Sequence, residues 1–99
     1  MDYSYEFTEL AINDINDALT YITTKLNNPK AANDLLSEIE NNIGNVCLFP
    51  LSYPNCKCFF INDESIRHVI IKNYVLVFKI YKSKIIFLRF KYSKQNRIL

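Results

Sequence analysis

The sequence predicts an α+β fold in which an N-terminal strand and a helical hairpin precede three consecutive β-strands. Residues 66–99 contain three short runs rich in β-branched and aromatic residues, which are IRHVIIK, YVLVFKIY and KIIFLRFKY. Polar pairs at Lys72-Asn73 and Lys82-Ser83 separate these runs too closely for a crossover, which predicts an antiparallel meander. Upstream, apolar residues recur at helical spacing in two segments.

Length and composition predict one globular domain spanning residues 1–99. The chain is long enough for one hydrophobic core, and its 49% hydrophobic content exceeds that of disordered chains. No apolar run approaches the ~18 residues of a transmembrane helix, and Asp2, Glu6 and Glu9 replace the basic start of a signal peptide. Three cysteines do not make a disulfide framework. We therefore expect a cytoplasmic protein that has no membrane partner.

Charge divides the chain into an acidic half and a basic half. Residues 1–50 carry eight acids and two bases, whereas residues 51–99 carry two acids and ten bases. Between positions 67 and 97 there are nine lysines and arginines and no acid. A sheet face built from this segment should attract a phosphate backbone or an acidic protein segment. Alternatively, these lysines only solubilise the strands and protect the sheet edges.

The first strand and the first helix are predicted from two different spacings. Alternation places Tyr3, Tyr5 and Phe7 on one face of a strand. Thr8 can then cap a helix with its hydroxyl group. The apolar residues of this helix, of about five turns, follow at three- and four-residue spacing; they are Ala11, Ile15, Ala18, Leu19, Ile22 and Leu26.

A second helix begins with Asn28 as its cap and Pro29 at its first position, and it ends before Pro50. Its short connection to the first helix predicts an antiparallel hairpin packed on one face of a sheet of about four strands. Gly44 indicates weakening or close packing near the helix end. The apolar face comprises Ala32, Leu35, Leu36, Ile39, Ile43 and Val46. The segment that follows is predicted as a loop with a short extended piece at 57–61.

Strand alternation assigns the side chains of the meander to two faces. It places Arg67 with Val69 and Ile71, and His68 opposite them. In the last strand, one face carries Ile86, Leu88, Phe90 and Tyr92, and the other carries Ile85, Phe87, Arg89 and Lys91. We expect Arg89 and Lys91 to line a partly open face away from the helices. The expected core includes Leu19, Ile22, Leu36, Ile39, Val77, Phe78, Leu88 and Phe90.

Five segments, in order, resemble the RelE/ParE superfamily of bacterial type II toxin–antitoxin toxins: AINDINDALTYITTKL, NPKAANDLLSEIENNI, FPLSYP, IRHVIIKNYVLVFKI and IIFLRFKYSKQNRIL. The resemblance implies a growth-inhibiting protein of a plasmid stabilisation module, held inactive by a cognate antitoxin. RelE-like members cut mRNA on the ribosome, whereas ParE-like members poison DNA gyrase. We slightly favour the ribosome-dependent endoribonuclease; the alternatives are a gyrase inhibitor and a decayed toxin that retains only antitoxin binding.

Site residues follow from the resemblance together with the chemistry of the residues. The predicted catalytic set comprises Arg67, Arg89, Tyr92 and Lys94. The predicted nucleic-acid-binding or antitoxin-binding set comprises Lys91, Tyr81, Phe87, Gln95 and Asn96. Val75 stands where nuclease members of the superfamily have an arginine, which weakens the nuclease prediction.

RNA cleavage by its own 2′-hydroxyl needs cations around the phosphate, a group that accepts a proton and a group that donates one. Arg67, Arg89 and Lys91 could supply the cations. Tyr92 or Lys94 could transfer a proton if neighbouring positive charge lowered its pKa, and Tyr92 could instead stack on a base. The alternatives are a packed aromatic at position 92 and arginines that face solvent or the antitoxin.

A zinc site is formally conceivable but disfavoured. Cys47, Cys56, Cys58 and His68 would make four ligands, but C-x-C lacks the usual two-residue spacer and Cys47 falls on a predicted helix. Buried cysteines are the simpler interpretation. We expect no metal and no cofactor, and a catalytic role for His68 is disfavoured because it lies opposite Arg67.

Overall fold

The computed structural model describes residues 3–55 and 65–93. The extended piece predicted at 57–61 lies outside them. The elements are β1 (Ser4–Phe7), α1 (Glu9–Thr20), a π-helical turn (Tyr21–Lys25), α2 (Pro29–Leu48), a 3-10 turn (Pro50–Ser52), β2 (Ile66–Ile71), β3 (Tyr74–Tyr81) and β4 (Lys84–Tyr92).

Both predicted helix caps are present. The Thr8 hydroxyl accepts a hydrogen bond from the Ala11 N–H at 3.0 Å, and Asn28 Oδ1 accepts one from the Ala31 N–H at 3.1 Å. The first helix departs from the prediction because α1 continues as a π-helical turn. At Gly44 the predicted close packing is wrong, since no described atom beyond its chain neighbours and the local helix backbone lies within 4 Å of the place a Cβ would take.

The four strands form a mixed sheet in the order β1-β4-β3-β2. β2, β3 and β4 make the predicted antiparallel meander, and β1 adds to β4 in parallel. Lys72 and Lys82 occupy the two hairpin turns with φ values of 54° and 56°, the left-handed region in which a residue with a Cβ is strained. The predicted α+β fold, with two helices and about four strands, is confirmed.

A β-bulge in β4 changes the face assignment of that strand. Phe78 pairs with Phe87 and Val77 pairs with Arg89, so Leu88 is the extra residue. Simple alternation is therefore wrong across this point, because Phe87 and Phe90 both pack in the main core. Arg89 lies on the opposite face from both.

The sheet has two faces of different character. The covered face packs against α1 and α2 and comprises Val69, Ile71, Leu76, Phe78, Ile85, Phe87 and Phe90. By register the open face comprises Ile66, His68, Ile70, Val75, Val77, Lys79, Ile86, Arg89 and Lys91, with Leu88 packed beside Val77. Among the described residues, no helix residue belongs to the small apolar cluster on the open face.

Most of the predicted core is confirmed, with three corrections. Ile39 is 2% exposed, whereas Leu36 on the same helix is 39% exposed and is not a core residue. Leu88 packs on the open face, outside the main core. Phe87 was predicted to bind a partner, but it is 0% exposed and packs against Phe7 with ring centroids 4.9 Å apart. It is a core residue because the bulge turns it toward the helices.

Candidate partner-binding site

The open face combines one exposed apolar side chain, Ile70, with cations, whereas Ile66, Val75 and Val77 on the same face are buried. Ile70 is 64% exposed and lies across the strands from Val75 and then Lys91. The neighbouring row runs from His68 through Val77 to Arg89. By register Arg89 and Lys91 lie on the face away from the helices, as predicted, but both side chains reach back to Asp14 of α1 at the sheet edge.

Asp14 of α1 holds the cations at one edge of this face. Its carboxylate accepts hydrogen bonds from Arg89 Nε at 2.7 Å and from Arg89 Nη2 at 3.2 Å. Lys91 Nζ lies 3.6 Å from Asp14 Oδ1. The arrangement gives Arg89 a two-pronged ion pair of the kind that fixes a guanidinium group in one orientation.

Asp14 lies beside Arg89 because β4 extends beyond the end of its partner strand β1, where α1 begins. β1 pairs with β4 only as far as Phe87, and the chain then turns at Thr8 into α1. The Thr8 N–H donates to the Phe87 carbonyl at 3.0 Å, and the Thr8 hydroxyl donates to the Leu88 carbonyl at 2.8 Å. The Phe90 N–H donates to Asp14 Oδ2 at 3.0 Å. Thr8 and Asp14 thus provide hydrogen-bond partners for the β4 backbone beyond the point where β1 ends.

Opposing effects determine the pKa of Asp14. Burial disfavours the ionised carboxylate, but the hydrogen bonds from Arg89 and the Phe90 N–H, together with the positive charge of Lys91 and Arg89, outweigh it. The pKa of Asp14 therefore lies below its ordinary value. The hydrogen bond to Asp14 correspondingly raises the pKa of Arg89. Both groups are charged at neutral pH.

Arg67 lies on the other face from Arg89. It pairs with Phe78 of the covered face, and its Nη1 donates to the Tyr53 carbonyl at 2.6 Å. The guanidinium group is thus held by the segment that follows α2. The structure does not bring Arg67 together with Arg89 and Lys91, so these three residues do not surround one phosphate site.

His68 shares the open face with Arg89, opposite Arg67 as predicted. The two residues lie in the same row across the sheet, separated by two strand spacings of about 5 Å each. Burial lowers the pKa of His68 more than its hydrogen bond with the backbone of Asn55 raises it. The imidazole is therefore neutral at pH 7.

Tyr92 and Tyr81 lie at different ends of the sheet. Tyr92 pairs with Tyr74, with ring centroids 5.5 Å apart, and lines a cleft of about 820 Å³ between the helical hairpin and the ends of β3 and β4. Tyr81 is exposed, and Lys82 Nζ lies 5.5 Å from its ring centroid. Lys94, Gln95 and Asn96 lie outside the described residues. The predicted catalytic set is therefore not assembled among the residues that the structure describes.

Neither a metal site nor a membrane span is found in the described part of the chain. Within residues 3–55 and 65–93, no three His, Cys, Asp or Glu side chains are close enough together to hold a metal ion. Cys47 is buried, and Cys56 and Cys58 fall outside those ranges. No described helix is both long enough and apolar enough to cross a membrane.

Asp14 is the site residue that the sequence prediction missed. It is not among the residues predicted for the apolar face of the first helix, yet it lies three residues after Ala11 and four before Ala18, both of which are buried. A residue at this spacing shares the helix face of the two alanines. An acid on an apolar stripe was therefore the available signal, since such a carboxylate needs a partner when it packs.

Comparison with known proteins finds a family model that matches the sequence and solved structures that share the fold. Residues 5–97 match the family model of the "ParE toxin of type II toxin-antitoxin system, parDE". A chain of the chromosomal ParDE toxin–antitoxin system from P. aeruginosa superposes with a TM-score of 0.72 at 14% identity, covering 91% of this chain and 95% of that one. A chain of the RelBE2 toxin–antitoxin complex from Mycobacterium tuberculosis gives 0.65 at 16% identity, covering 93% and 99%. No curated protein matches the sequence.

Proposed function

The chain belongs to the ParE toxin family of type II toxin–antitoxin systems, and we propose that it inhibits growth by binding DNA gyrase rather than by cutting mRNA. Its membership of the RelE/ParE superfamily, inferred above from sequence, is confirmed by the family match and the shared fold. An antitoxin is the expected partner of such a toxin, and the proposed place of action is the cytoplasm.

The positions of Arg67 and Arg89 on opposite faces of the sheet are the observation on which we choose between the two targets. A nuclease that uses the 2′-hydroxyl must gather cations and proton-transfer groups around one phosphate. Arg67 and Arg89 lie on opposite faces, and two hydrogen bonds to Asp14 already hold the Arg89 guanidinium group at the sheet edge. Val75 also stands at the position of the arginine found in nuclease members. A toxin that acts by binding a protein needs none of this chemistry, so the geometry supports action by protein binding, and the match to the ParE family favours gyrase as the protein that is bound.

The open face supports a proposed site for the antitoxin. Its exposed Ile70 can receive an apolar anchor, and Arg89 and Lys91 share the single carboxylate of Asp14, which leaves a net positive charge that attracts carboxylates. We therefore propose that an extended antitoxin segment bearing acids and apolar side chains covers this face.

Two parallel measurements after brief induction in growing cells test the target. We expect DNA synthesis to stop first while mRNA stays intact, and the purified protein to block supercoiling by gyrase in vitro. Early arrest of translation with mRNA cut inside codons would contradict the proposal and favour the endoribonuclease function instead. If neither process stops although the antitoxin still binds, the chain is a decayed toxin and the proposal is also wrong.

A matched pair of variants tests the antitoxin surface. Ile70→Glu places an acid on the open face, whereas Ile12→Glu places one on an exposed position of α1. Both positions are exposed, so we expect both variants to fold. Antitoxin affinity, measured by calorimetry with the product of the neighbouring gene, should fall at least tenfold for Ile70→Glu and change little for Ile12→Glu. Equal effects would exclude the open face.

A further inference from the structure

The cleft beside Tyr92 has an aromatic wall and an acidic rim. Tyr74 and Phe90 are stacked with ring centroids 4.7 Å apart and an interplanar angle of 9°, and Tyr92 meets Tyr74 edge to face. Tyr21, on the π-helical turn, lines the same cleft and is 53% exposed. The rim on the side of the helices carries Asp17 and Asp34.

We propose that this cleft binds an arginine side chain of a protein partner, with the guanidinium group between the tyrosine rings and Asp17. The proposal goes beyond the function inferred above, since it holds whichever target the toxin acts on. A guanidinium group suits this cleft because it stacks on aromatic rings and donates several hydrogen bonds at once.

The charges around the cleft favour a cation. Its described lining contains three aspartates and two lysines, and one of these lysines, Lys91, shares the Asp14 carboxylate with Arg89. Lys72 also lines it, yet its long side chain is exposed and can carry its ammonium group into solvent. The carboxylate of Asp17 sits on a short side chain and cannot leave the rim.

Asp34 adds a second carboxylate to the rim. Its pair with Lys30, at 3.1 Å, is exposed on the helix surface, and such pairs contribute little to stability. A guanidinium group that enters the cleft can therefore share the Asp34 carboxylate with Lys30 without a large loss of stability.

Tyr74 remains neutral and can accept a hydrogen bond. Burial raises the pKa of Tyr74 above its ordinary value, and its neighbours Tyr92 and Tyr21 raise it further. The hydroxyl groups of Tyr21, Tyr74 and Tyr92 belong to residues that line the same cleft. A guanidinium group can donate to such oxygens while its plane stacks on a ring. An acidic ligand would instead meet Asp17 and Asp34.

Two peptides that differ only in one charge test the proposal on the full chain. N-acetyl-Leu-Arg-Leu-amide is titrated into the protein by NMR beside its citrulline counterpart, which has nearly the same shape and no charge. We expect saturable binding of the arginine peptide in the millimolar range, with shifts at Tyr21 and Tyr74, and at least tenfold weaker binding of the citrulline peptide. Equal binding of both peptides, shifts confined to other parts of the chain, or no saturable binding would overturn the proposal.

Variants then locate the charge that matters. Asp17→Asn should lower the affinity for the arginine peptide at least fivefold and leave the affinity for the citrulline peptide unchanged. Glu40→Gln, an exposed change on α2 at a residue that does not line the cleft, should alter neither. Tyr21→Leu removes an exposed ring and should also weaken the arginine peptide, so the proposal remains testable if Asp17→Asn folds poorly. Unchanged arginine-peptide binding in both Asp17→Asn and Tyr21→Leu would overturn the proposal; growth inhibition is measured separately and tests the function instead.

Discussion

The covered and open faces are built from alternate residues of the same strands, yet they differ in what surrounds them. On the covered face, side chains such as Phe78 and Phe87 are sealed under two helices. On the open face, Ile70 remains exposed, and the cations Arg89 and Lys91 lie on β4, two strands away. The difference teaches that alternate residues of one strand can serve different ends: those under the helices stabilise the fold, and those on the other side form the surface that we propose for the antitoxin.

Two arginines illustrate this division. Arg67 and Arg89 come from the same basic segment and were predicted to act together. Arg67 is instead held on the covered side by the Tyr53 carbonyl, and Arg89 is held at the sheet edge by Asp14. Residue type alone did not separate a structural arginine from one that lies on the open face.

The largest expected effect is at the centre of the covered face. Phe87→Ala should lower the free energy of unfolding by ~3–5 kcal/mol, because it leaves a cavity among packed rings. Urea unfolding measures the loss. Phe49→Ala, at a position that is 67% exposed, is the control and should cost less than ~0.5 kcal/mol. Similar losses for both would mean that the two positions do not differ in packing.

A second pair sharpens the comparison within α2. Ile39→Ala should cost ~2–5 kcal/mol, whereas Leu36→Ala, only partly covered, should cost less than about 1 kcal/mol. The same urea experiment distinguishes them. If Leu36→Ala costs as much as Ile39→Ala, α2 is rotated about its axis so that Leu36 also faces the sheet.

A smaller effect is expected where α1 joins the edge between the two faces. Asp14→Asn keeps the shape of the side chain but removes its charge, and should cost ~1–3 kcal/mol at pH 7. The folded pKa of Asp14 lies below its unfolded value of about 3.9. Its contribution is therefore complete above the unfolded pKa and is lost as the pH falls through the folded pKa.

Unfolding measured from pH 7 down to strongly acidic pH checks this sign. The difference in the free energy of unfolding between the original protein and Asp14→Asn should shrink as the solution becomes acidic. A difference that stays constant or grows would show that the charge of Asp14 does not stabilise the fold.

The smallest effect is expected for an exposed pair at the β1–β4 edge. Glu6 and Lys84 are 3.2 Å apart, and both side chains are about half exposed. Glu6→Gln should cost no more than about 0.5 kcal/mol, and added salt should abolish the difference. A loss comparable to that of Asp14→Asn would mean that burial does not explain the contrast between the two ion pairs.

The sequence by itself determined the elements and their order. Helix starts at Thr8 and Asn28, the two-residue turns and the three strand runs are encoded within a few residues of one another, so periodicity and capping chemistry predict them. The resemblance of the ordered segments likewise led to the correct superfamily. The basic character of the sheet also follows from composition alone.

Only the tertiary structure decided which residues meet. The bulge at Leu88 depends on how β4 registers against β3, and it moves Phe87 into the core. Asp14 and Arg89 are 75 positions apart in the chain and meet only because β1 stops short of the end of β4. Local propensity carries no information about such distant pairing. A shift of one residue in register reverses the face of every side chain that follows, and packing of the whole domain selects the register.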